Sequence, residues 1–211
     1  MPDKSDMRLG AIILAGGRSK RMGRPKESLL FREDSLLGRT VATLRQCAEP
    51  VLVVARGTDQ PLPPLPTAAH VVPDESPEAG PLAALAAGLR VLGRTFGFDG
   101  RAPVFACGCD APFLTADVIR FLVDRLDAEQ MVIPRAGGIL QPLCAVYRQG
   151  VLAAADSLLA QGIRMPRSLA TTVTARIVDE GELRTLDPEL RFLFNVNSPD
   201  DYDRALSDPR P

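Results

Sequence analysis

Apolar and polar positions along the chain fall into blocks that read alternately as strands and helices. Ala11-Ile12-Ile13-Leu14 is an apolar run stopped by Ala15-Gly16-Gly17, the pattern of a buried strand entering a turn. Leu29-Leu30-Phe31 is a short apolar patch, and Ser35 caps a predicted helix from about Leu36 to Cys47, with Leu37, Val41 and Leu44 at helical spacing. Val51–Val54 and His70-Val71-Val72 read as strands, separated by an exposed, stiff loop over 57–67 that carries Pro61, Pro63, Pro64 and Pro66. Gly80-Pro81 opens a small-residue helix to about Leu92, followed by a polar, glycine-containing stretch over 93–101. Val104–Cys107 is a further buried strand, and Thr115 caps a helix to about Leu126. Met131–Ile133 and Ile139–Tyr147 pair as a hairpin across Gly137-Gly138, which introduces an antiparallel element. A helix over Val151–Ala160, a strand over Val173–Val178 and a last strand over Phe192–Val196 complete the alternation. Ser198-Pro199-Asp200-Asp201 then starts a final helix, with a cap, a proline at the first helical position and two early carboxylates.

Strands alternating with helices predict an α/β fold: a three-layer α/β/α, Rossmann-like arrangement around a mostly parallel sheet with an antiparallel element. The pattern continues through the proline-rich loop, so one domain is expected over 1–211, its core at about 8–206. In such sheets ligands sit at the carboxyl ends of the strands. Three polar segments fall there: residues 14–26, Pro73-Asp74-Glu75 and Cys109-Asp110-Ala111-Pro112.

The first of these carries the strongest chemistry. Arg18, Lys20, Arg21, Arg24 and Lys26 follow the glycines directly, so close-approaching backbone N–H groups and cations adjoin, as a polyphosphate requires. The spacing excludes the Walker loop, because five residues separate Gly17 from Gly23 and Arg24-Pro25 follows. The G-x-G-x-x-G fingerprint is also missing. Asp110 at a strand end suits a Mg²⁺ ligand, or simply a turn or cap residue. Asp74 suits an acceptor for a base N–H, or a turn closure. Asn197 completes a polar site or forms a local turn.

Composition narrows the chemistry. The net charge of −1 over 211 residues argues against a general nucleic-acid binder. No apolar run is long enough for a membrane span, and residues 1–10 lack the apolar segment of a signal peptide, so a cytoplasmic protein is expected. The lone His70 leaves no basis for a histidine zinc site or a Ser-His-Asp triad. Cys47, Cys107, Cys109 and Cys144 are too few and scattered for a disulfide framework, and core or strand-end positions rather than a redox role are expected for Cys107 and Cys109.

Taken together, LAGGRSKRMGRPK, GPLAAL, CDAPF, QPLCAVY and FNVNSPDD resemble the nucleotidyltransferases of the molybdenum cofactor guanylyltransferase group, from about Ala11 to Leu206. The resemblance implies a nucleotide-diphosphosugar-transferase-like domain using GTP and Mg²⁺. It matches Leu14, Ala15, Gly16 and Gly17 to the phosphate-cradling loop, Lys26 to the motif lysine and Asp74 to a nucleotide-contacting aspartate. Asp110 matches the metal-binding aspartate, and Asn195 the place of a second metal ligand. The implied reaction is attack by the terminal phosphate of molybdopterin on the α-phosphorus of GTP, with Lys26 and Arg21 neutralising charge and Asp74 and Gly80 near base or ribose. Arg164, Arg167 and Asn197 are candidates for the acceptor. Contact with other cofactor-biosynthesis or acceptor proteins would accompany such a role. At the position where relatives carry a nucleotide-contacting Asn stands Ala55, and Pro25-Lys26 is common in cytidylyl and sugar-phosphate enzymes. A cytidylyltransferase or sugar-1-phosphate nucleotidyltransferase is therefore an alternative, and a non-catalytic nucleotide-binding module a third.

Overall fold

The computed structural model describes residues 8–17, 22–66, 68–74 and 76–209. Among them eight strands form one sheet, with spatial order β10-β7-β9-β6-β1-β4-β5 and β8 paired to β7. The strands are β1 (Gly10–Leu14), β4 (Val51–Ala55), β5 (Ala69–Pro73), β6 (Pro103–Gly108), β7 (Met131–Ala136), β8 (Ile139–Leu140), β9 (Cys144–Arg148) and β10 (Ala175–Asp179). A separate two-stranded ribbon joins β2 (Leu30–Phe31) to β3 (Asp34–Ser35). The pairings β1–β4, β1–β6, β4–β5 and β7–β10 are parallel, while β9 runs antiparallel to both β6 and β7.

Burial follows the apolar runs. All six residues of β6 and all five of β4 are buried, as expected of central strands covered on both faces. On one face Ala11 and Ile13 meet Leu37, Val41 and Leu44 of α1 (Leu36–Leu44) and Val118, Ile119 and Leu122 of α3 (Ala116–Val123). On the other Ile12 meets Leu82, Leu85 and Leu89 of α2 (Pro81–Phe96) and Ala155 and Leu158 of α4 (Leu152–Ala160). The short α5 (Glu180–Leu183) follows β10. A third cluster, including Met22, Phe31, Phe113, Val196 and Ala205, holds α6 (Pro199–Ser207) beside the ribbon.

The expected caps form. Ser35 Oγ accepts from Gly38 N at 2.9 Å, and Ser198 and Asp201 make a reciprocal capping box at the start of α6. The helices expected to reach Cys47 and Leu126 stop at Leu44 and Val123, and three further expectations need correction. The helix from Pro81 runs a turn beyond Leu92, to Phe96, because Phe96 packs on His70 of the edge strand (ring centroids 4.9 Å) and Gly97 then ends it in the left-handed conformation. The segment Ile139–Tyr147 is split: Pro142 has no N–H to give a ladder, and the chain re-enters as β9 between β6 and β7. Phe192–Val196 is not a strand. Arg191–Leu193 is a 3₁₀ turn, and Val196 instead makes a single backbone bond, its N–H donating to Asp110 O at 2.8 Å.

Helix and sheet approach closely at Gly88 of α2, where an added Cβ would stand 2.8 Å from Ile12 Cδ1 and 2.9 Å from Ile12 Cγ2. Ile12 is fully buried in the central strand and has little freedom to yield. Gly88→Val should therefore lower the urea unfolding free energy by about 1–3 kcal/mol, through overpacking. An unchanged urea midpoint would show that α2 can slide away from β1.

Candidate active site

Parallel register brings three strand ends level. Leu14 pairs with both Val54 and Gly108, so the turn after β1 lies beside the segment leaving β6. Chain order also reverses here: the chain passes from β1 outward to β4 and β5, then crosses to β6 on the other side of β1. This is the topological switch point where open α/β sheets bind ligands. A cleft of about 490 Å³ occupies it.

Leu14, Ala15, Gly16 and Gly17 line the cleft at the end of β1. Lys26 enters from a single 3₁₀ turn, Lys26–Ser28. Its ammonium donates to Asp110 Oδ2 at 3.0 Å and to Asn197 Oδ1 at 2.8 Å, joining side chains 84 and 171 residues away. Asp110 folds back on the strand end: a Cβ on Gly108 would stand 2.5 Å from Asp110 Oδ1, so a larger residue there would push the carboxylate from this position. Asp74 is nine-tenths buried in the cleft wall; its Oδ1 accepts from Ser76 N at 2.9 Å, and its N–H donates to Ala55 O at 2.7 Å. Gly80 holds φ +87° at the cap of α2 and also lines the cleft. Leu143 of the QPL segment reaches the cleft, and that segment is pinned by the Tyr147 hydroxyl, which donates to Pro142 O at 2.7 Å.

Not every residue selected from the sequence is found in the cleft lining. Arg21 lies outside the described residues. Asn195 is exposed, its amide donating to Leu193 O at 3.2 Å, and the structure puts Asn197 rather than Asn195 beside Asp110. The cause is local: the Val196–Asp110 backbone bond draws Val196 into the core, and the chain turns at once into the Ser198 cap, with Asn197 N donating to Asp201 Oδ2. Arg164 is not part of the cleft lining. Its guanidinium donates to Glu78 O at 2.9 Å and its own carbonyl accepts from Leu82 N at 3.0 Å, so it covers the start of α2. Arg167 is exposed.

Two residues escaped sequence reasoning. Glu27 is only 4% exposed and lines the cleft, and Gln60, 8% exposed, donates to it at 2.6 Å. Glu27 follows the motif lysine directly, which was a usable signal; nothing local distinguishes Gln60 from the other polar residues of its loop.

The cysteines are free and, apart from half-buried Cys47, buried. Cys107 and Cys144 face each other across β6 and β9, and Cys109 borders the cleft. Burial pushes all three thiols up: Cys144 to about 12, Cys109 further under burial and the charge of Asp110, and Cys107 well above the usual range. Thiolate, the reactive form, is suppressed at neutral pH.

Several proteins share this architecture. The model of the MobA-like NTP transferase domain matches residues 11–175. This chain belongs to that family. A Mycobacterium avium protein named "probable molybdenum cofactor guanylyltransferase" is 34% identical over 207 residues, covering 97% of this chain and 98% of that one. The crystal structure of molybdopterin-guanine dinucleotide biosynthesis protein A from Archaeoglobus fulgidus superposes with a TM-score of 0.75 at 23% identity, covering 93% and 96% of the two chains. The 2-C-methyl-D-erythritol 4-phosphate cytidylyltransferase of Thermus thermophilus has the same fold, with a TM-score of 0.65 at 18% identity and coverage of 95% and 98%. As a member of the MobA-like NTP transferases, the chain is a nucleotidyltransferase, and its cleft lies at the topological switch point of the sheet.

Thiol labelling tests the electrostatic picture of the cleft wall. Near neutral pH, Cys107, Cys109 and Cys144 should resist a disulfide reagent in the folded protein, and all four cysteines should react in denaturant. Fast modification of Cys109 in the native state would mean that the wall is open to solvent.

Proposed function

We propose that this chain transfers GMP from GTP to the terminal phosphate of molybdopterin and releases pyrophosphate. The observation that carries the reading is the Lys26 ammonium held between Asp110 Oδ2 and Asn197 Oδ1 at the cleft. An aspartate and an asparagine oxygen already converge on a cation there. Such hard oxygens suit Mg²⁺, which takes one or two carboxylates together with phosphate oxygens and waters. Asp110 and Asn197 are therefore the residues that would hold it, and Asn195 is left without that role. When bound, Mg²⁺ would withdraw charge from phosphate oxygens during transfer.

In the transfer, a P–O bond forms between an acceptor phosphate oxygen and the α-phosphorus. The α–β bridging bond breaks, and its electron pair leaves on pyrophosphate. A phosphate monoester has a second pKa of about 6 and is largely dianionic at neutral pH, so the nucleophile needs no general base. The reaction then depends on positioning and on charge balance. Backbone N–H groups of Gly16 and Gly17 would meet phosphate oxygens. Lys26 would turn from Asp110 to the triphosphate when nucleotide enters, and Arg21 would add a second cation. Asp74 and Gly80 would flank the base or ribose. Arg164 and Arg167 would meet the acceptor beyond the start of α2. Support for the guanine and molybdopterin assignments comes from the curated relative's name and from the QPL and FNVNSP segments.

Mg²⁺-dependent pyrophosphate release from GTP with molybdopterin, measured against CTP and UTP, tests the assignment. GTP should be preferred and should raise the melting temperature most, since a ligand bound by the folded state stabilises it. Preference for CTP would replace the reading with the cytidylyl alternative. Asp110→Ala should cut turnover by about 100-fold or more with the fold intact. A variant with near wild-type pyrophosphate release would remove Asp110 from the chemistry.

A further inference from the structure

Gln60 lies in the proline-rich segment after β4, between exposed Asp59 and exposed Pro61, yet its own side chain is buried. Leu62 and Leu65 of the same segment pack against the core and hold it to the protein. The Gln60 amide makes three bonds. Nε2 donates to Ala15 O at 2.9 Å and to Glu27 Oε1 at 2.6 Å, and Oε1 accepts from Arg56 N at 2.6 Å. Both donor hydrogens are used, and the pattern fixes the amide's orientation: a flip would set its oxygen against two acceptors and its NH₂ against a donor.

Each partner belongs to a different segment, and two of them, Ala15 and Glu27, line the cleft. Ala15 opens the loop after β1, Arg56 follows β4, and Glu27 is the neighbour of Lys26 on its 3₁₀ turn. Successive residues of a 3₁₀ turn point about 120° apart, so anchoring Glu27 sets the direction in which Lys26 projects. That direction carries Nζ to Asp110 and Asn197. Glu27 also needs the bond for its own sake, because a buried carboxylate without hydrogen bonds is strongly disfavoured. We propose that Gln60 is a positioning residue of the transfer site, holding the glycine loop and the Lys26 turn in one geometry through Ala15 and Glu27. This rests on the nucleotidyl-transfer reading of the cleft. The proline-rich segment is then a brace for the cationic half of the site.

Gln60→Met keeps side-chain length and packing but removes all three bonds. It should lower kcat/KM for pyrophosphate release about tenfold or more, with unchanged far-ultraviolet circular dichroism. Gln60→Asn keeps the amide but withdraws it by a methylene, and gives the same comparison should the Met variant not fold. Gln60→Glu sets two carboxylates together and should lose more activity. Adding Glu27→Gln restores a donor between positions 27 and 60, so the double variant should regain part of the loss. Amide hydrogen exchange at Gly16 and Gly17 should speed up about tenfold in Gln60→Met, with the β6 amides unchanged. A Met variant within about twofold of wild type in kcat/KM, or a double variant no better than Gln60→Glu, overturns the proposal. Wild-type protein that releases no pyrophosphate would sink the transfer reading instead, and the exchange rates would then decide whether Gln60 holds the loop.

Discussion

The cleft depends on one shared cation. The described side chains that line it include four carboxylates, Glu27, Asp74, Glu78 and Asp110, and one lysine, Lys26. A nucleoside triphosphate brings further negative charge to the same place, so cations must enter with it or be present beforehand. Lys26 meets part of that need by lying between Asp110 and Asn197 at 16% side-chain exposure. At this depth an ion pair is less screened than one on the surface, and loss of either partner leaves a partly buried charge. The parallel register of β1 and β6 makes the pair possible, because it sets Leu14 level with Gly108 and so sets residues far apart in sequence within reach.

The backbone at the start of α2 is already committed. Leu82 N donates to the Arg164 carbonyl, and Ala83 N and Ala84 N both donate to Gly80 O. Pro81 has no N–H at all. The usual anion site at a helix start, built from free N–H groups, is therefore closed here. On the proposed reading, phosphate recognition would fall to the glycine turn after β1 and to side-chain cations, in keeping with a loop whose spacing fits neither the Walker nor the dinucleotide pattern. The 162–167 segment gains a definite role from the same contacts: it caps a helix, and it carries Arg164 to the rim of that helix's first turn.

Much of this was legible in the sequence because it is written in local patterns. Apolar runs located β1, β4 and β6; Ser35, Thr115 and Ser198 marked helix starts; and the glycine loop, Asp74 and Asp110 all stood at strand ends. What escaped was set by distant partners. The direction of Asn195 and Asn197 depends on the bond from Val196 to Asp110, which no local period encodes. The added turn of α2 depends on His70, contributed by the edge strand. Gln60 sits among prolines that read as a solvated loop, and its burial follows from acceptors on Ala15 and Glu27. Polar residues buried by tertiary hydrogen bonds leave no mark in a hydrophobicity pattern.

The titratable inventory agrees with chemistry that needs no proton shuttle. His70 is exposed and packs edge-on against Phe96, and it does not line the cleft. The thiol that borders the cleft, Cys109, is held protonated by burial and by Asp110. A reaction that required a general base at neutral pH would find carboxylates but no histidine or thiolate on the described walls. An incoming phosphate dianion requires none, and its demand is geometric: in-line approach, with charge balanced at the α-phosphorus and at the leaving group. On the proposed reading a lysine, an aspartate, an asparagine and a glycine turn would meet that demand, the lysine being held by its bonds to the aspartate and the asparagine. A site of this kind is sensitive to displacement more than to pH. That is why, on the proposed reading, a neutral amide that follows β2, β3 and β4 in the chain and lies outside the described cleft lining can matter as much as a charge in the cleft.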